Sequence, residues 1–194
     1  MDWQSLNEAC LQCNRCSLAA TRTQVVFGTG TQDAEILFVG EGPGQQEDLS
    51  GRPFVGAAGQ LLDRMLAAIG MTRDQVYICN IVKCRPPQNR VPEADERDRC
   101  MDYLRQQVAL VCPKVIVCLG STPTRALLGD HMRITRDRGV WQLKKGVWFM
   151  PTFHPAALLR DLDKKRPAWE GFKAIRDKLI ELGVYESRID SGKN

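Results

Sequence analysis

Four short apolar runs recur along the chain, each leading into glycine or a polar side chain. They are AEILFVG (34–40), QVYICNIV (75–82), KVIVCLG (114–120) and VWFMPTFHP (147–155). Segments with helical spacing lie between and after them. GAAGQLLDRMLAAIG (56–70) places Leu61, Leu62, Met65, Leu66 and Ile69 on one face, with Gly70 as terminator. EADERDRCMDYLRQQVALV (93–111) follows Pro92, STPTRALLG (121–129) opens with Ser121 as its expected cap, and WEGFKAIRDKLIELG (169–183) closes the series. Residues 3–20 read as a helix or an irregular segment, and VYESRIDSGKN (184–194) as a frayed tail. This alternation predicts a parallel sheet covered by helices on both faces. In such folds ligands bind beyond the carboxyl ends of the strands. Glu41, Asn80 and His154 fall at or near three of those ends.

A chain of 194 residues with 43% hydrophobic content is expected to form one compact domain. It contains no apolar run of about 18 residues, the length that reads as a membrane span. Its first residues, MDWQSLNEACLQC, carry two acids and no lysine or arginine, unlike a signal peptide. A cytoplasmic chain is therefore expected. The net charge of +4 permits nucleic-acid binding without demanding it. Two stretches concentrate that charge, RITRDRGVWQLKKG (133–146) and RDLDKKR (160–166), and each reads either as solvated surface or as a phosphate contact.

GEGPGQQEDLSGRPFVG (40–56) leaves the first apolar run and holds five glycines, three acids and one phenylalanine. It lacks the lysine and hydroxyl residue of a phosphate loop, and Pro43 removes an amide donor. Glu41, Glu47 and Asp48 would repel a phosphate. The glycines fit close approach of backbone to a planar ligand, with Phe54 either a stacking platform or a core residue.

Eight cysteines in a cytoplasmic chain argue for buried thiols or a metal rather than a disulfide framework. Cys79 and Cys118 sit in apolar runs and read as core, and Cys112 has no partner signal. Cys10, Cys13, Cys16, Cys84 and Cys100 remain for a four-thiolate site, with either Cys13–Cys16 or Cys10–Cys13 as the close pair. Spacing does not choose between zinc and an iron–sulfur cluster.

The segments GEGPGQQEDLSGRPFVGAAGQLLDRML, YICNIVKCRPPQNR and FHPAALLR resemble the family 4 uracil-DNA glycosylases of bacteria and archaea, in the family order. The resemblance runs from about Cys13 to about Leu179. It implies an α/β/α sandwich around a four-stranded parallel sheet, and a structural four-iron, four-sulfur cluster on Cys13, Cys16, Cys84 and Cys100. It implies further that Phe54 stacks on uracil, Asn80 reads O4 and N3, His154 supports O2 and Glu41 belongs to the catalytic network. Glu47 and Asn89 match polar positions that organise the loop. Gly44 stands where another glycosylase family has a tyrosine against the thymine methyl, and Gly42 where that family has an aspartate.

The implied activity is monofunctional hydrolysis of the N-glycosidic bond of uracil in single- or double-stranded DNA, leaving an abasic site. A flipped base needs a side chain to fill its place. Leu158 and Leu159 read as that wedge or as a buried helix start, with Arg160 and Lys164 on phosphates. A monomer at the nucleoid is expected, with a DNA-clamp or replication partner left open. Two other readings stand beside this one: a noncatalytic iron–sulfur module that binds nucleic acid, and a zinc hydrolase, for which two histidines are few ligands. Convergence of Glu41, Asn80 and His154 beside Phe54 separates the enzyme from the noncatalytic module.

Overall fold

The structure is a computed structural model that describes residues 2–185. Its strands are β1 (Thr29–Gly30), β2 (Ile36–Gly40), β3 (Tyr77–Asn80), β4 (Val115–Leu119), β5 (Gln142–Lys144) and β6 (Val147–Thr152). Its helices are α1 (Trp3–Leu11), α2 (Gln45–Ser50), α3 (Ala57–Ala68), α4 (Ala94–Val111), α5 (Ser121–Leu128), α6 (Ile134–Asp137), α7 (Pro155–Arg160) and α8 (Lys165–Glu181).

The four apolar runs become β2, β3, β4 and β6, but the sheet they build differs from the expected one. It has six strands in the order β1-β3-β2-β4-β6-β5. The pairs β3/β2, β2/β4 and β4/β6 are parallel, whereas β1/β3 and β5/β6 are antiparallel. A mixed six-stranded sheet therefore replaces the four-stranded parallel one. The added strands are too short and polar to stand out as apolar runs: β1 is Thr-Gly and β5 is Gln-Leu-Lys. Their place at the two edges is where short, polar and lysine-bearing strands discourage pairing with another chain.

Inner strands buried on both faces need apolar residues in succession, and the two-residue period sorts them. Leu37, Val39, Tyr77, Cys79, Ile116 and Cys118 join one core with Leu6 and Cys10 of α1 and Met101 and Leu104 of α4. Their neighbours Ile36, Phe38, Ile78, Val115 and Val117 join the other with Leu62 and Leu66 of α3 and Phe172 and Ile175 of α8. Leu61 and Met65 on α3 reach a third, small cluster around Phe153, Leu158 and Ala168.

Several local expectations change. The N-terminal helix stops at Leu11, and α2 forms inside the glycine-rich loop. Gly51 ends α2 with φ 70°, a left-handed cap that suits glycine. Gly120, not Ser121, stands at the cap of α5, and no side chain caps it. Val184 packs on the α3/α8 core and Tyr185 donates to the Ile69 and Gly70 carbonyls, so the expected tail begins as packed chain. Its remainder, 186–194, lies outside the described residues.

Candidate active site

Chain order places β3 on one side of β2 and β4 on the other, so the connections leaving β2 and β4 diverge between them. A crevice at such a reversal is the expected ligand site of an open α/β sheet. Here Glu41, just after β2, accepts a hydrogen bond from Thr122 Oγ1 at the start of α5. A cleft of about 560 Å³ opens at this point. Glu41, Phe54, Asn80 and His154 all line it, as do Gly42, Gly44, Glu47, Asn89 and Arg160. Leu158, Leu159 and Lys164 are not among its walls. Leu158 is buried under α7, while Leu159 is 45% exposed. The three residues that separate an enzyme from a noncatalytic module thus share one cleft with the aromatic.

The acidic loop owes its shape to one of its own acids. Glu47 Oε1 accepts the backbone N–H groups of Val55 and Gly56, each at 2.9 Å, and Oε2 accepts that of Gly44 at 3.1 Å. A carboxylate with three amide donors is a fixed strut. Arg73 pins the far side, donating to the Pro53 carbonyl at 2.9 Å and to the Phe54 carbonyl. Phe54 is thereby held at φ 53°, an uncommon conformation for a residue with a side chain. Its ring lies 5.5 Å from the His154 ring with 28° between planes.

Asn80 ends β3 almost fully buried, 1% exposed, and its Oδ1 has no hydrogen-bond partner. A buried acceptor left unpaired costs about 1–3 kcal/mol unless a ligand satisfies it. Gly40 makes room for it. A Cβ at Gly40 would stand 2.3 Å from Asn80 Oδ1 and 2.6 Å from Phe54 Cζ. Gly40→Ala is therefore expected to displace both side chains and disable the cleft, while the other neighbours of β2 keep the fold together. Thermal melting alongside an assay of ligand binding or turnover in the cleft checks this; full function would show that the contact is not needed.

His154 caps α7, its Nδ1 accepting the Ala156 N–H at 3.1 Å. Burial is the main cause that pushes its pKa down to about 4; the Glu47 charge pulls it back and that of Arg160 adds to the fall. The ring is neutral at pH 7. With Nδ1 occupied as an acceptor, its proton resides on Nε2.

The other basic and polar candidates are distributed as follows. Asn89 Oδ1 accepts from Arg85 Nε at 2.7 Å. Arg138 and Lys164 stand over the Phe153 ring at 5.0 and 5.6 Å, bringing the two basic stretches together beside His154. Lys83, which the sequence would place on DNA or a loop, is 1% exposed and donates to the Asn80 carbonyl and Gln107 Oε1. His131 is exposed. A Cβ at Gly42 would lie 2.8 Å from Val82 Cγ2, so an acid there would have to push that side chain aside. Thr122, Arg73, Gly120 and Arg90 belong to the site's frame without having been singled out in the sequence. Arg90 did lie inside the quoted CRPPQNR segment.

The expected four-iron, four-sulfur centre on Cys13, Cys16, Cys84 and Cys100 needs correction. Among the described residues, no group of three or more His, Cys, Asp or Glu side chains is placed to hold a metal ion. These cysteines instead join one hydrophobic cluster with Cys10 and Leu18. Cys84 Sγ accepts from Arg22 Nη1 at 3.4 Å and Cys100 Sγ from the Lys83 N–H at 3.3 Å. Burial pushes the Cys84 thiol up, and the Cys100 thiol to about 11, which favours their neutral forms. The expected ligands line one small cavity without being grouped as a metal-holding set, and the chemistry of the cleft is built without a cluster.

The chain is similar to known proteins along nearly its whole length. The family described as the Uracil DNA glycosylase superfamily matches residues 27–175. A type-4 uracil-DNA glycosylase of Sulfurisphaera tokodaii is 46% identical over 191 residues, covering 94% of this chain and 87% of the relative. One from Thermotoga maritima is 47% identical over 160 residues, 80% of this chain and 82% of the relative. One from Archaeoglobus fulgidus is 46% identical over 173 residues, 85% and 87% respectively. With this likeness running through nearly the whole chain and the cleft residues gathered at the reversal of the sheet, the chain belongs to the uracil-DNA glycosylase superfamily and, within it, to the type-4 uracil-DNA glycosylases.

Proposed function

We propose that this protein hydrolyses the N-glycosidic bond of uracil in DNA and leaves an abasic site. The carrying observation is the unpaired, buried Asn80 Oδ1 in the same cleft as Phe54 and His154. Uracil offers N3–H and O4 side by side, and a carboxamide pairs with both: Oδ1 accepts from N3–H and Nδ2 donates to O4. Cytosine reverses both features and would leave two buried groups unpaired, at about 1–3 kcal/mol each.

The base must leave the stack to enter. Phe54 supplies a flat face, worth about 1–3 kcal/mol in comparable base stacking. As the bond to the sugar lengthens, negative charge gathers on uracil O2 and positive charge on the sugar. His154, neutral with its proton on Nε2, donates to O2 and stabilises the departing anion without protonating it. Glu41, braced by Thr122, opposes the sugar's charge and orients the attacking water. Gly44 leaves the C5 side of the base open. Glu47 and Asn89 hold the loops, with Gly42 keeping the wall thin against Val82. Leu159, the exposed member of its pair, fills the vacated stack. Arg160, Lys164 and Arg138 meet phosphates, which makes binding weaken with salt. The chain works as a single domain and a monomer, with the nucleoid as its place of action.

Two variants test the division of labour. Phe54→Ala is expected to weaken binding of uracil-containing DNA and excision together. Glu41→Gln keeps the shape, removes the charge and should mainly slow the chemical step, by about 10²-fold. Single-turnover excision and a separate affinity measurement check this. A parent rate in Glu41→Gln would reduce Glu41 to a loop-shaping residue.

A further inference from the structure

The stretch from Arg85 to Pro92 supplies another wall of the cleft, through Pro86, Asn89, Arg90 and Val91. Its backbone is unusual. Gln88 and Asn89 are consecutive residues with side chains, and both have φ 55°. Such conformations persist only where the surroundings over-determine them. The restraint here is a buried acid. Glu96, 1% exposed, takes a two-pronged contact from Arg90 at 2.8 and 2.6 Å, the Glu93 N–H at 2.8 Å and the Ser17 hydroxyl at 2.9 Å. The Arg90 guanidinium holds its carboxyl well below the usual range, at about 2. Arg85 ties down Asn89 from the other end.

The outcome is that Val91 is presented to solvent, 58% exposed, at the edge of the cleft. Of the exposed large aliphatic side chains among the described residues, Val91 is the one that lines the cleft. A single exposed valine needs no explanation. One held there by a strained, doubly tied loop does, because a side chain that enters a base stack must resist being pushed back.

We propose that Val91 is a duplex-opening residue, an apolar wedge on a loop separate from helix α7, which carries Leu159, and that Arg90 and Glu96 are the positioning residues that stiffen it. The assignment rests on the glycosylase reading. Apolar side chains inserted between base steps unstack them, and the cost is repaid once the base enters its pocket. On single-stranded DNA there is no opposing strand to part, so the wedge has little to do there.

The experiment compares single-turnover excision from one uracil oligonucleotide, single-stranded and annealed to its complement. Val91→Ala is expected to slow duplex excision about tenfold or more and single-strand excision less than about threefold. Val91→Leu should restore the duplex rate, and Glu96→Gln should shift the duplex-to-single-strand ratio in the same direction as Val91→Ala. Leu143→Ala, on the exposed edge strand, serves as the surface control. A parental ratio in Val91→Ala, or an equal loss on both substrates, would overturn the proposal. Failure of the parent protein on both substrates would instead bring down the glycosylase reading, and the wedge with it.

Discussion

Asn80→Asp is expected to lower single-turnover excision of uracil by about 10²–10³-fold, the loss typical of removing one well-placed donor from a transition-state site. The substitution is close to isosteric, which matters because the space around Oδ1 is bounded by Gly40 and Phe54. It removes the donor to O4 and sets an acceptor in its place. Asn80 itself is only 1% exposed, so solvent does little to relieve the mismatch at its side chain. An acceptor at that position can instead meet the amino group of cytosine. Weak excision of cytosine is therefore expected where the parent shows none. Release of both bases from matched oligonucleotides measures the switch. Undiminished uracil excision by Asn80→Asp would end the assignment of Asn80 as the base reader.

His154→Asn should produce a loss of similar size, about 10²–10³-fold in the single-turnover rate, without unfolding the protein. His154 does two separable things. Nδ1 caps α7, which leaves the proton of the neutral tautomer on Nε2 of a ring that lines the cleft. Asparagine is a good helix cap, so the structural part is retained. Its shorter side chain does not reach as far as Nε2, so the donor to O2 is lost. His154→Leu loses both, and should melt lower than His154→Asn while being no faster.

The depressed pKa of His154 also fixes a pH dependence. Its folded-state value, about 4, lies below the ordinary 6.5. As pH falls through 6.5 the unfolded chain takes the proton first. The stability from keeping this ring neutral is full above pH 6.5, declines toward pH 4, and amounts to at most about 3 kcal/mol. Denaturant unfolding at pH 7 and pH 4.5 should show a smaller difference for His154→Asn than for the parent. On the kinetic side, the His154 contribution to excision should stay level from pH 8 to 5.

Much of this site was legible because its residues punctuate strands. Glu41, Asn80 and His154 follow or close apolar runs, and a parallel sheet brings such positions to one edge. Phe54 and Glu47 stood out as the aromatic and an acid in a glycine-rich loop. The sheet's edges were not legible, since Thr29–Gly30 and Gln142–Lys144 carry no apolar period. Thr122 and Arg73 were hidden for another reason. Each acts through a hydrogen bond to a residue distant in sequence, and nothing local marks a threonine in a helix or an arginine in a turn as special. Lys83 misled in the opposite sense. Beside Cys84 it reads as a DNA or loop contact, yet the end of β3 buries it against the Asn80 carbonyl and Gln107. The cysteine spacing was compatible with a metal centre, but spacing along a chain does not specify how sulfurs are disposed in space.

The most direct measurement is excision from a labelled oligonucleotide containing one uracil, followed by an alkali chase. The account predicts release of free uracil with the strand intact, then scission at that position alone once alkali is added. Folded protein that binds the oligonucleotide yet leaves it uncut after alkali would contradict the central claim.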